Sequence, residues 1–153
     1  MAQPTFNNGT SKQKAKAHGV AWILLCIALG IHVFDEAIND FLSIYNPTVN
    51  LIRQHAPFVP LSTFTYGVWL AGLIIGIIVL LCLSPLVFRG NRRMFLVSYA
   101  LGTIMILNAI GHIAGSVMLG RLMPGVYSSP LLLGGAIFLI MATRNHQSKS
   151  PVL

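Results

Sequence analysis

An all-α fold, a four-transmembrane-helix bundle with both termini cytoplasmic, is what this sequence predicts, and three observations predict it. Hydrophobic residues make up 55% of the 153-residue chain and charged residues only 8%, with mean hydropathy +0.75, so water is the wrong solvent for most of it. The apolar residues are gathered into runs at 17–41, 64–87, 95–118 and 129–142. Several of these meet the roughly 17 to 25 residues that a hydrocarbon core of about 30 Å requires. The third observation is the distribution of the basic residues. Lys12, Lys14 and Lys16 precede the first run, Arg89, Arg92 and Arg93 separate the second from the third, and Arg144 and Lys149 follow the fourth. Only Arg53 and Arg121 fall on the other side if the runs alternate. That asymmetry is the positive-inside pattern.

Helices are required because lipid offers no partner to an open strand edge, and a chain this short has no set of alternating segments to close a barrel. Residues 1–16 read as a polar basic segment, 17–143 as the membrane domain and 144–153 as a flexible tail. The lysine-bearing start has the character of a signal-peptide opening. The apolar run behind it is too long and lacks a small-residue cleavage pattern, so Val20 onward reads as a retained anchor.

Between the first two runs, Tyr45, Asn46 and Pro47 predict a turn, and Pro57 and Pro60 argue against one continuous helix. Residues 48–55 suit either a short interfacial helix or a plain loop. In the second run Pro85 marks an exit or a bend. The short basic link 84–93 makes the second and third helices antiparallel neighbours. Pro124 and Gly125 favour a turn before the fourth run, where Pro130 is acceptable in the first helical turn. Gly72 with Gly76 and Gly111 with Gly115 have small-xxx-small spacing, expected to serve close packing inside the bundle, with a dimer seam as the alternative. Cys26 and Cys82, isolated in separate runs, read as small buried hydrophobes.

The net charge of +7 invites a nucleic-acid reading, but the basic residues form no continuous stripe, and no nucleic acid is expected as a partner. The informative charges are the acidic ones. The chain has three, Asp35, Glu36 and Asp40, all at the end of the first run. His32 and Glu36 are four apart and share a helix face, which Asn39 continues. Asn108 and His112 repeat that spacing in the third run, which points the same way through the membrane. His32 and Glu36 lie 16 and 20 positions beyond Lys16, and Asn108 and His112 lie 15 and 19 beyond Arg93. At 1.5 Å per residue both pairs sit about 23 to 30 Å past their basic anchors, at matched depth in the outer half of the membrane. A carboxylate facing lipid there costs roughly 2.5 to 3.5 kcal/mol, so Glu36 is expected inside the bundle with His112 or His32. Asp35 points about 100° away from Glu36, toward a second contact or the outer interface, and Asp40 is expected as a solvated helix end.

HVFDE, residues 32–36, resembles the HXXEE signature of a family of small integral membrane proteins, with Asp35 at the place of the first glutamate. His112 within NAIGH matches a second family histidine, and Leu122, Met123, Pro124 and Gly125 match a YxPG motif in part. Leu122 stands where the tyrosine would fall, with Tyr127 nearby. The resemblance spans roughly residues 19–139 and implies a membrane location and a shared polar site, without an established activity.

Three functions are expected to compete. The first is acid–base catalysis on a lipid or other apolar substrate, with Glu36 and His112 exchanging a proton, His32 orienting or sharing it, Asn108 binding a substrate oxygen or fixing His112, and Asp35 assisting. The second is a non-catalytic metal- or lipid-binding or transport component. His32, Glu36 and His112 offer two nitrogens and one oxygen to a single divalent metal such as zinc, whereas a two-iron centre needs more glutamates than the chain has. Transport through so few helices would favour a homo-oligomer. The third is a structural or regulatory subunit. All three place the chain in the plasma membrane, the inner membrane of a bacterium.

Overall fold

The computed structural model describes residues 8–147. Its elements are α1 (Asn8–Ile38), α2 (Leu42–His55), α3 (Tyr66–Phe88), α4 (Arg92–Leu119) and α5 (Ser129–Gln147), with no strand among the described residues. Three of them, α1, α3 and α4, are long and apolar enough to cross a membrane. α5 has 19 residues but ends in Arg144, Asn145, His146 and Gln147, which shortens its apolar part. Residues 8–16 continue α1 without a break, and residues 144–147 continue α5. The outermost parts of the expected N-terminal segment and tail, residues 1–7 and 148–153, lie outside the described residues.

α5 packs against both α1 and α4, while α3 packs on the other flank of α1, so α3 and α4 are joined by a short link without being the packed neighbours that link predicts. Leu132, Ala136 and Leu139 recur along one face of α5 and are fully buried with Ala21, Trp22 and Leu25 of α1 and Ala109 of α4. Small residues set the approach: a Cβ on Gly135 would sit 3.5 Å from Leu25, and one on Gly102 only 2.7 Å from Ile140. Gly19 likewise lies under the Phe88 ring, leaving no space for a side chain. Trp22 donates its indole N–H to the Leu80 carbonyl at 2.9 Å, tying α1 to α3. That carbonyl has a helix partner already, so the bond uses its second lone pair.

α3 is otherwise exposed along most of its length, as expected of a helix whose apolar surface meets acyl chains. Gly72, Gly76 and Gly111 have nothing within 4 Å of an added Cβ, so the expectation that they serve internal packing fails, and of the four only Gly115 is closely packed, against Met123 Sδ. Cys26 is buried as expected, but Cys82 is exposed on the outward side of α3.

The predicted turn at residues 45–47 is also overturned. The chain reverses earlier, at residues 39–41, where Asp40 adopts φ +53°, and α2 then runs through Pro47. Asn39 holds the end of the helix to Asp35, donating its side-chain N–H at 2.9 Å to a carbonyl that already accepts its backbone N–H at 3.2 Å. α2 is pinned to the start of α3 by a reciprocal pair: Asn46 donates to the Phe64 carbonyl at 2.9 Å and accepts from the Phe64 N–H at 3.1 Å. Pro85 lies inside α3 near its end, and Pro130 opens α5, both as their positions suggested.

Candidate functional site

The polar residues of α1 and α4 meet at the end of the bundle beneath α2. Glu36 Oε1 lies 3.0 Å from His112 Nε2 and 3.5 Å from His32 Nε2. His32 Nε2 also lies 3.1 Å from Asn108 Oδ1, and the two imidazoles meet edge to face with centroids 4.8 Å apart. All three ionisable side chains are buried, His32 at 1% exposure, Glu36 at 4% and His112 at 5%. The backbones of α1 and α4 do not pack closely. α5 separates them, and the polar side chains reach across beside its N-terminus.

Asp35 makes the second contact its helical position allowed. Its Oδ2 accepts the Ser128 backbone N–H at 2.9 Å and the Ser128 hydroxyl at 2.7 Å, and its Oδ1 accepts from the Asn39 amide at 2.8 Å. Ser128 directly precedes α5, so this carboxylate sits at the positive end of that helix dipole, where negative charge is stabilised. The hydroxyl has one hydrogen. Given to Asp35, it leaves Ser128 Oγ to accept the N–H of His32 Nδ1 at 2.9 Å. The chain Asp35–Ser128–His32 therefore holds a proton on His32 Nδ1 and leaves Nε2 facing two acceptors, Glu36 Oε1 and Asn108 Oδ1. If His32 gains a second proton, the Asn108 carbonyl is in place to accept it, and a half-turn of that amide serves the neutral ring equally well.

Two further features shape the site. Gly125 adopts φ +86°, and a Cβ there would stand 2.8 Å from His112 Cε1 and 3.0 Å from His32 Cε1, so only glycine lets this loop close over both rings. Phe41 covers His112 from the outer side, with ring centroids 5.5 Å apart. His112 Nδ1 is buried without a hydrogen-bond partner.

Donor atoms of His32, Glu36 and His112 lie within 4.8 Å of one another, a spacing from which small rotamer changes bring three ligands onto one ion. Asp35 and Ser128 also form part of the wall of a groove of about 490 Å³, shared with Ile31, Phe34, Tyr127 and Leu131. A smaller polar cavity of about 210 Å³ opens between Asn39, Ser43 and Arg121, with Tyr127 on its edge. Neither is lined by Glu36 or His112.

The structure thus brings together all five residues singled out from sequence, His32, Asp35, Glu36, Asn108 and His112. It places Asp40 at the exposed reversal. Sequence reasoning missed Ser128 and the fit of Gly125 against the rings. The Ser-Ser-Pro opening of α5 was the available signal for the first, since a serine before a Pro-led helix is a cap and a cap is positioned to meet a carboxylate.

Apolar helices of spanning length around a buried imidazole–carboxylate cluster define the class: a helical membrane protein with an interior polar centre. More specifically, the chain belongs to the family described as "Protein of unknown function with HXXEE motif", which it matches over residues 22–139, more than three quarters of its length. No curated protein and no solved structure gives a significant match.

Proposed function

We propose that the chain is an integral protein of the plasma membrane, crossing it four times with both ends cytoplasmic, and that His32, Glu36 and His112 bind one divalent cation for acid–base chemistry on a lipid or other apolar substrate. The topology reading rests on the alternation of α1, α3, α4 and α5, which gathers the lysines of α1 and the arginines at residues 89, 92, 93 and 144 at one end. α5 is about 28 Å long in all, and its apolar part, residues 129–143, covers about 22 Å, so in this reading it crosses with its polar last turn at the membrane surface.

The observation that carries the metal reading is a charge imbalance. Two adjacent carboxylates, Asp35 and Glu36, are buried in the bundle, and among the described residues neither pairs with a lysine or arginine. A divalent ion with two neutral imidazoles would supply the two positive charges that balance these carboxylates, and the clustering of the three ligand atoms within 4.8 Å favours an ion over two protonated imidazoles. The donor set of two nitrogens and one oxygen with an open position suits zinc, and ferrous iron also accepts it. A bound ion would polarise a substrate oxygen or acidify a water at that position. The Asp35–Ser128–His32 chain supports the same reading, because a ligating imidazole needs its other nitrogen held by an oriented acceptor. The groove at Asp35 and Ser128 gives an apolar molecule a route to this end of the centre.

A second reading is favoured by His112, whose Nδ1 lacks the oriented acceptor that a ligating imidazole needs: the centre transfers protons without metal. Elemental analysis of detergent-purified protein separates the two. About one metal ion per chain, lost on His32→Ala and Glu36→Gln, is the expected result. Metal-free protein whose cellular function still fails on Glu36→Gln would support proton transfer. Folded Glu36→Gln and His112→Gln variants with full cellular function and no metal would leave a structural or regulatory subunit.

A further inference from the structure

The basic end of the bundle holds a second, unrelated cavity. It has a volume of about 420 Å³ and lies between the start of α1 and the link from α3 to α4, lined by Ser11, Lys12, Lys16, Arg89, Gly90 and His146. Lys12 and Lys16 are four apart on one helix face, an arrangement that repels in the absence of an anion. No carboxylate side chain relieves them. Every acidic residue of the chain falls between positions 35 and 40, and Asp35 lies 19 residues beyond Lys16, about 28 Å along α1.

The back of the cavity is built rather than open. His146 is only 8% exposed and closes the back of the cavity with the Cε1–Nε2 edge of its ring toward Gly90. Gly90, at φ +69°, lets the link pass close to that ring, and a Cβ there would come within 3.0 Å of His146 Cε1. Ser11 adds a hydroxyl donor, and Phe88 gives the rim an apolar side.

We propose that this cavity binds a phosphate group, carried by an anionic lipid headgroup or by a free phosphate. Three cations, a hydroxyl and an imidazole around one concavity match the charge and acceptor-rich oxygens of a phosphate. The position at the basic flank of a membrane helix bundle puts the cavity at headgroup level, where anionic lipids collect. The proposal does not depend on the His32–Glu36–His112 centre, which lies at the opposite end of α1.

The test uses the full chain in nanodiscs of phosphatidylcholine, with and without phosphatidylglycerol, read by native mass spectrometry for retained lipid, and in detergent with inorganic phosphate, read by calorimetry. Phosphatidylglycerol is expected to be retained over phosphatidylcholine, and Lys12→Gln and Arg89→Gln each to weaken retention about fivefold. Arg92→Gln and Arg144→Gln, at the same end but outside the cavity, are expected to change it by less than about twofold. Displacement of the lipid by inorganic phosphate would identify free phosphate as a second source, and lipid retention unaffected by phosphate would identify the headgroup alone. Equal losses from all four substitutions would overturn the proposal in favour of diffuse surface attraction, as would absence of any anion preference. Thermal unfolding of each variant without anion confirms that the folded protein is being compared.

Discussion

Replacing Ser128 by alanine tests the link between the Asp35 arm and the imidazole centre. The substitution removes one oxygen. Asp35 Oδ2 loses the 2.7 Å bond from the hydroxyl but keeps the Ser128 backbone N–H at 2.9 Å, and Oδ1 keeps Asn39, so the carboxylate stays in place. His32 Nδ1 loses its 2.9 Å partner and is left buried. A charge-assisted bond contributes about 1.5–3 kcal/mol and a stranded donor costs about 1–3 kcal/mol. Because one hydroxyl serves both bonds, the combined loss should be near 3 kcal/mol and not their full sum. Loss of the group orienting a ligand also weakens metal binding by about 10- to 100-fold. Equilibrium unfolding in mild detergent and competition with a chelator of known affinity measure the two effects. Ser128→Thr, which keeps the hydroxyl, should restore most of both. Unchanged metal affinity in a folded Ser128→Ala protein would refute the orienting role, and an unchanged stability would show that the hydroxyl carries no net hydrogen-bond energy.

Three further outcomes are expected. Gly125→Ala should destabilise the protein by about 2 kcal/mol or more, since left-handed backbone alone costs an alanine about 1–2 kcal/mol and the new methyl meets two imidazoles, neither of which is a flexible chain end; wild-type stability in a denaturation series would contradict the described closure of this loop. Leu132→Ala in α5 should cost about 2 kcal/mol, at the low end for buried leucine because lipid reduces the transfer contribution while the lost packing remains, whereas Ile75→Ala on the outward side of α3 should stay within about 0.5 kcal/mol; comparable effects at the two positions would remove α5 from the centre of the bundle. In a background lacking Cys26 and Cys82, single cysteines at Lys12 and Arg89 should react with an impermeant maleimide only after the membrane is opened, and those at Arg53 and Arg121 in intact cells; the reverse pattern, or labelling of residues 12 and 53 from one side, would overturn the four-crossing topology.

The helices were legible in the sequence to within a few residues at most ends, because a lipid-facing chain must satisfy its backbone internally and the length of an apolar run then nearly decides its structure. The early end of α1 was not legible. It depends on Asn39 folding back onto Asp35 and on Asp40 taking a left-handed backbone, choices that hydropathy does not encode. Pro47 was misread for a related reason: proline removes one N–H, and an exposed helix near its start tolerates that loss. The small-residue spacings misled because spacing shows that a helix can be approached, not that a neighbour approaches it.

Sequence alone determined the solvent of this protein, its helical class and the four polar side chains that share a depth in α1 and α4, since hydrophobic length and the 3.6-residue period are local properties. Tertiary structure decided what those side chains do to one another. The insertion of α5 between α1 and α4 carries Ser128 and Gly125 to the imidazoles from more than ninety residues away from His32 along the chain. No local pattern specifies that meeting, because it follows from the packing of Leu132, Ala136 and Leu139 against two other helices at once.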